Sequence, residues 1–163
     1  MLLIRKAGLE DVENIIVLWK EFMKEECNEV AGNNSSFRPH LTLKKYAELN
    51  FKKFIQKSLK SNNSLIHIAE VDGKSAGYSF SYVKSNIPVF KLDKIGYISD
   101  LFIKPEYRRM GISSQFKNKA AEWFRKKGIK YMSIMVNVEN SNAYKIYKKW
   151  GFMDYHLEMR MKI

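Results

Sequence analysis

Apolar residues along this chain repeat with two different periods, and the switches between them divide it into elements. Leu2-Leu3-Ile4 is a short apolar run closed by Gly8, which predicts an opening strand over Leu2–Lys6. Asp11–Glu26 then places Val12, Ile15, Ile16, Trp19, Phe22 and Met23 at helical spacing, with Glu, Lys and Asn on the opposite face. Ala31–Ser36 is turn chemistry and predicts the end of that helix. Thr42 is the expected N-cap of a second helix running to about Lys60, with Tyr46, Leu49, Phe54 and Ile55 facing inward.

Ser61-Asn62-Asn63 interrupts the pattern, and two β-rich runs, Leu65–Val71 and Ser75–Val83, flank Asp72-Gly73. That arrangement predicts a hairpin. A loop over Ser85–Asp93 leads into a strand over Ile95–Ile103. Gly111–Lys127 sets Ile112, Phe116, Ala120, Trp123 and Phe124 on one side of a helix, with Gly128 as its C′ residue. Tyr131–Val138 reads as a strand, Ser141–Lys149 as a short helix and Phe152–Met161 as a final strand or pair of strands. The order β-α-α-β-β-β-α-β-α-β contains a strand–helix–strand crossover, which implies a parallel pair, beside antiparallel hairpin strands. The predicted class is therefore α/β: a mixed central sheet with helices on both faces. Residues 1–163 read as one domain without repeats, low-complexity tracts or linkers.

Composition changes little in that picture, since 45% apolar and 28% charged residues are an ordinary globular mixture. The lone cysteine, Cys27, excludes an intramolecular disulfide, and its neighbours Glu25 and Glu26 disfavour a thiolate nucleophile. The opening MLLIRKAGLED carries too short an apolar run for a secretory signal, so a reducing cytoplasm is expected. No apolar stretch reaches the roughly 18 residues that cross a bilayer, so no membrane partner is expected. The three histidines, His40, His67 and His156, lack metal-ligand spacing, and no metal is expected.

Charge does change the picture, because 29 Lys and Arg against 17 acidic residues give a formal +12. Such an excess fits either a nucleic-acid or acidic-membrane partner or a solvated surface that attracts a phosphate-bearing ligand. The lysines are spread over Lys52–Lys60, Lys117–Lys130 and Lys145–Lys149 and form no single arm, which favours the second reading over nucleic acid.

The richest stretch is Ile98–Ser114, ISDLFIKPEYRRMGISS: an apolar strand, a proline turn, two arginines and a glycine that opens a helix. The free N–H groups of a helix's first turn favour an anion. Gly111 lets the backbone approach a ligand without an intervening Cβ, and Arg108 and Arg109 carry the matching charge. Arg108-Arg109-Met110-Gly111-Ile112-Ser113 resembles the (Gln/Arg)-x-x-Gly-x-(Gly/Ala) signature of the GCN5-related N-acetyltransferases, with Ser113 where Gly or Ala is usual. Leu101-Phe102-Ile103 and Pro105-Glu106-Tyr107-Arg108 resemble that superfamily's strand and pyrophosphate loop. Asn140–Phe152 resembles its second cofactor motif, N-x-x-A-x-x-x-Y-x-x-x-G-F.

The resemblance implies the acyl-coenzyme A N-acyltransferase fold, acetyl-coenzyme A as cosubstrate and a primary amine as acceptor, attacked directly in a ternary complex. Dimers are common among similar proteins, so a homodimer is an expectation of the same kind. By resemblance the backbone of Leu101, Phe102 and Ile103 binds pantetheine, and the stretch Arg108, Arg109, Met110, Gly111, Ile112, Ser113 and Ser114 takes the diphosphate. Asn140, Ala143 and Tyr147 belong to the cofactor motif, and Tyr147 is the expected proton donor to the departing thiolate. Similar amine acetyltransferases carry Glu-Asp where this chain has Ser99-Asp100, so the usual Glu base is a serine here. Asp100, or bulk water through an ordered chain, is left to deprotonate the amine.

The acceptor side is expected between the helix-one/helix-two connection, with Arg38 and His40, the Ser85–Asp93 loop and the final strands. Polyamines or other small amines compete with protein amino groups as acceptors, and a polyamine site would need carboxylates such as Glu25, Glu26, Glu29 or Asp93. The alternative class is a basic module binding nucleic acid or an acidic partner, with vestigial coenzyme binding. Gly111, Asn140 and Tyr147 count against it.

Overall fold

Alternating burial along the strands sets the architecture. The structure, a computed structural model, describes residues 1–163. Five strands, β1 (Leu2–Lys6), β2 (Ser64–Val71), β3 (Lys74–Ser85), β4 (Lys94–Ile103) and β5 (Met132–Ile134), form one sheet in chain order. Neighbours are antiparallel up to β4, and β4–β5 is the parallel pair. Ile66, Ile68, Tyr78, Phe80 and Phe102 pack on one face against α1 (Val12–Asn33), and α3 (Ala47–Leu59) adds Ile55. Ala69, Ala76, Ile98 and Ile103 lie on the other face, under α4 (Ile112–Lys126) through Ile112, Phe116, Ala120 and Phe124. The mixed sheet with helices on both faces is thus present. No helix is long and apolar enough to cross a membrane.

The Asp-Gly hairpin forms as expected, with Asp72 and Gly73 at φ 50° and 76°. Helix α1 runs past the predicted turn to Asn33, because Val30 and Ala31 are buried and favour one more turn. Asn34 then ends it, its N–H donating to Val30 O and its side chain accepting from Ser36 N.

Thr42 does not start the second long helix. Its hydroxyl donates to Arg38 O at 2.8 Å, closing the short α2 (Arg38–Leu41), and α3 begins at Ala47. Tyr46, Leu49 and Phe54 are largely exposed. The inward stripe is Ala47, Phe51, Ile55 and Leu59, a competing set at the same period, with Phe51 stacked on Trp19 at 4.3 Å.

Strand β5 is shorter than Tyr131–Val138, since Asn137 turns the chain: its backbone and side-chain oxygens accept from Asn140 N and Glu139 N. Phe152–Ile163 alternates like a strand but pairs with none. Alternation specifies a face and supplies no partner edge. The tail meets α2 through Arg160 Nη1, 3.3 Å from His40 Nδ1. The last element is α5 (Ser141–Lys149).

Candidate active site

One extra residue in β4 opens the site. Ser81 pairs with Ile98 and Phe80 with Asp100, so Ser99 is bulged out of the ladder. Pairing between β4 and β5 stops at the same level, with Ile98 opposite Ile134. Beyond that point β4 runs on to Ile103 with no strand on its outer side. Lys104 N donates to Ala76 O on β3, so by the two-residue alternation Phe102 also turns its peptide groups toward β3. Leu101 and Ile103 present theirs to the open edge, where Ile103 O accepts from Arg108 Nε at 3.0 Å. Phe102 therefore departs from its expected backbone role. Its ring is a packing residue, 5.8 Å from that of Phe22.

A proline-initiated turn (Pro105–Tyr107) leads from that edge to α4. Arg109 sits in the left-handed region at φ 64°, uncommon for a side chain with a Cβ and typical of strained functional loops. Gly111 follows at φ 74° as the N-cap of α4. The amides of Arg109, Met110, Gly111, Ile112, Ser113 and Ser114 make no hydrogen bond to the rest of the chain. Successive unpaired N–H groups at a helix start form a concave anion site. A Cβ on Gly111 would meet nothing of the protein within 4 Å, leaving space at this loop for an incoming group. Arg108 is not a free cation, since its guanidinium is engaged by Glu25 as well as by Ile103 O. Arg109 and Met110 are exposed.

Across the gap, Asn140 caps α5: its Oδ1 accepts from Ala143 N at 2.9 Å. Its side chain is thus folded onto the first turn of α5. Tyr147 packs between Trp150 and Phe152, with ring centres 5.5 and 6.2 Å away. Burial, with the Glu26 carboxylate as a second cause, pushes its pKa up to about 12, so it holds its proton throughout the neutral range. Tyr144, by contrast, is exposed and donates to Asp154 at 3.1 Å.

At the bulge, Asp100 accepts from Tyr78 Oη at 2.7 Å and from Ser99 Oγ at 2.8 Å. Burial raises its pKa against the opposing pull of those two bonds. Tyr78, fully buried, is a participant that the sequence reading missed. A mid-strand buried tyrosine needs a partner for its hydroxyl, and that need was the available signal. Glu26 is, by sequence alone, one of several equivalent carboxylates. Its acidity is lowered by burial and by Glu29, Asp100 and Glu25. A cavity of about 630 Å³ lies between α1 (Glu21, Lys24, Glu25, Asn28 and Glu29) and the Phe102–Arg108 segment, and Glu26 itself does not line it. Of the other expected acceptor-side groups, Arg38 and His40 lie in α2, with His40 against Arg160 of the C-terminal tail, and the loop after Ser85 is closed by Asn86 N donating to Asp93 O. Cys27 lies within α1, His67 is buried in β2 and His156 is exposed. No cluster of His, Cys, Asp and Glu could hold a metal ion.

Comparison with known proteins agrees with this geometry. The family model described as acetyltransferase (GNAT) family matches residues 24–152. An uncharacterized N-acetyltransferase of Methanocaldococcus jannaschii is 31% identical over 97 residues, 58% of this chain and 41% of that protein. A thialysine N-epsilon-acetyltransferase of Bos taurus is 38% identical over 58 residues, 36% of this chain and 34% of that protein. The matched segments thus span about half or less of these curated relatives. A predicted acetyltransferase of Clostridium acetobutylicum, solved with acetyl-CoA, superposes with a TM-score of 0.80 at 17% identity, covering 99% of this chain and 96% of that one. The chain belongs to the GNAT acetyltransferase family.

Proposed function

We propose that the chain is an N-acetyltransferase that moves the acetyl group of acetyl-coenzyme A to a primary amine. The observation that carries this reading is the continuity of a sheet edge that no strand covers with a run of unpaired amides. The Leu101 and Ile103 edge of β4 runs directly into the unpaired amides of Arg109–Ser114. An extended arm ending in a diphosphate matches both, the arm adding to the sheet edge as a strand would. Residues present fit the coenzyme: edge peptides for pantetheine, loop amides and Arg109 for the diphosphate.

The reaction needs a neutral amine, a polarised thioester and a proton for the leaving thiolate. Tyr147 is the proton donor in this reading, as its raised pKa keeps the hydroxyl protonated. Asp100 lies at the point where the strands part, a buried carboxyl that favours a cationic acceptor. The acceptor is a primary amine with a positive charge of its own, drawn to the carboxylates on α1. The test is a panel of spermidine, thialysine, a lysine-bearing peptide, a peptide with a free N-terminus and kanamycin, with acetyl-coenzyme A and detection of free thiol. Calorimetry with coenzyme A alone accompanies it. Thiol release with at least one amine, and coenzyme uptake, are expected. Binding without turnover on any amine would refute the enzymatic reading, and a salt-dependent nucleic-acid shift would then favour the binding module.

A further inference from the structure

We propose that Glu26 is the general base that draws the proton from the acceptor's ammonium group, in the place of the carboxylate that this chain lacks at Ser99. The proposal rests on the acetyl-transfer reading above and adds a residue to it.

The first argument is position. Phe22 and Glu26 are one helical turn apart on α1, so they share a face. Phe22 packs on Phe102, and Asp100 lies two residues from Phe102 on the same side of β4, paired with Phe80 as Phe102 is with Tyr78. Glu26 is therefore carried over the part of β4 where the strands separate. Its negative charge acts on Tyr147, and the charge of Asp100 acts on it, so the carboxyl is within electrostatic reach of both.

The second argument is availability. Glu21 is engaged by Lys104 at 3.1 Å, and Glu25 by Arg108. Asp100 has one hydrogen bond on each oxygen. Glu26 is half-buried, yet it makes no ion pair and accepts no hydrogen bond from the protein. A shielded carboxylate without a partner has an open valence for an incoming N–H donor.

The third is proton affinity. The groups facing Glu26 are Glu25 and Glu29 from α1, Asp100 from β4 and Tyr147 from α5, with Arg108 and Lys104 committed to other glutamates and Lys24 exposed. Burial and that anionic company make Glu26 a stronger base than a free glutamate, closer to the operating pH.

The proton account closes. The ammonium R–NH₃⁺ gives one proton to Glu26, and the neutral nitrogen attacks the thioester carbon. The C–N bond forms, the C–S bond breaks, and the thiolate takes the proton of Tyr147. The second proton of the nitrogen restores Tyr147, and Glu26 releases the first to solvent, so the products are an amide, coenzyme A thiol and one H⁺.

The experiment compares wild type, Glu26→Gln and Glu26→Asp, using whichever amine of the panel has the highest kcat/KM. The wild-type rate is expected to rise with pH through a midpoint above the ordinary glutamate range. Glu26→Gln is expected to lose that limb and about 10²-fold in kcat/KM, with coenzyme affinity unchanged. Glu26→Asp is expected to keep the limb at a lower rate. A second readout needs no turnover: the tyrosinate difference spectrum against Tyr147→Phe gives the ionisation midpoint of Tyr147. That midpoint is expected to fall in Glu26→Gln, because a nearby negative charge is gone. Wild-type rate and profile in Glu26→Gln, or an unmoved Tyr147 midpoint, would overturn the role of Glu26 alone. Absence of thiol release by the wild type would overturn the acetyl-transfer reading and this role with it.

Discussion

Two glycines provide a matched pair for testing the diphosphate loop. Gly111 opens α4 and Gly128 follows it, both at φ +74°, and a Cβ on either meets nothing of the protein within 4 Å. The backbone cost of Gly→Ala is therefore the same at both positions, about 1–2 kcal/mol for placing an L-residue in the left-handed region. In a chain of this size each kcal/mol lowers the melting temperature by roughly 2–4 °C. Both variants are thus expected to melt a few degrees early, and by similar amounts. They should differ in ligand binding. A methyl at Gly111 would stand in the loop of unpaired amides that the proposed reading assigns to the diphosphate, whereas Gly128 lies at the far end of the helix. Isothermal calorimetry with coenzyme A should show at least about tenfold weaker binding for Gly111→Ala, some 1.4 kcal/mol, and wild-type affinity for Gly128→Ala. Equal losses in both variants, or wild-type affinity in Gly111→Ala, would refute the loop as the anion site.

Further outcomes follow from the same structure. Tyr147→Phe is expected to lower turnover by about 10²-fold or more while coenzyme affinity stays within a few fold, measured by thiol release and calorimetry. His67 is buried near Phe116, and burial, then Lys119 and Lys6, lower its pKa to about 4. With the folded pKa below the unfolded 6.5, its contribution is complete above pH 6.5 and is lost as pH falls toward 4, on the order of 3 kcal/mol. His67→Gln should flatten that part of the stability–pH curve, and an unchanged slope would contradict the burial. Asp100 runs the opposite way: its raised pKa makes the folded state more stable below the usual carboxylate range, with that gain lost as pH rises through the folded pKa. Asp100→Asn, which can keep bonds to both Tyr78 and Ser99, is expected to melt higher than wild type at neutral pH, with the gap closing in acid. Asp11 accepts from both terminal nitrogens of Arg5 at 2.7 and 2.8 Å and from Gly8 N at 2.8 Å. Asp11→Ala should cost about 2–3 kcal/mol by denaturant titration, since charged hydrogen bonds near the surface of the core are removed.

Periodicity carried most of the fold because the elements that bury one stripe leave an unambiguous spacing. Ile15, Ile16 and Trp19 on α1, and Phe116, Ala120 and Phe124 on α4, are of this kind, and each packs where the spacing put it. Where two stripes competed, as in α3, spacing alone could not choose, and the stacking of Phe51 on Trp19 decided. The motif glycine and the two arginines were legible, but the fate of Arg108 was not. Its partner Glu25 is 83 residues away, and nothing local foretells that pairing. Glu25 and Glu26 looked equivalent for the same reason, until the fold engaged one and left the other open.

The bulge at Ser99 shows why the site itself resisted a reading by pattern. Ile98 packs beneath α4 while Phe102, four residues on, packs beneath α1. In a regular strand residues at even spacing share a face, so the two can point apart only if one residue is inserted between them. That residue is Ser99, and without it Asp100 would face α4 and the interior packed against Ala120 and Phe124. With it, Asp100 turns to Tyr78 and toward the side of the sheet on which Glu26 stands. The same insertion bends β4 away from β5, which ends pairing at Ile98 and leaves the edge of Leu101 and Ile103 unpaired. One residue thus sets the coenzyme edge and the orientation of the carboxyl together. Deleting Ser99 should therefore remove coenzyme binding and displace Asp100 at once, whereas Ser99→Ala, which keeps the extra residue and loses only one hydrogen bond to Asp100, should leave coenzyme affinity near wild type. Calorimetry on the two variants separates these cases, and a Ser99 deletion that still binds coenzyme A normally would break the link between the bulge and the open edge.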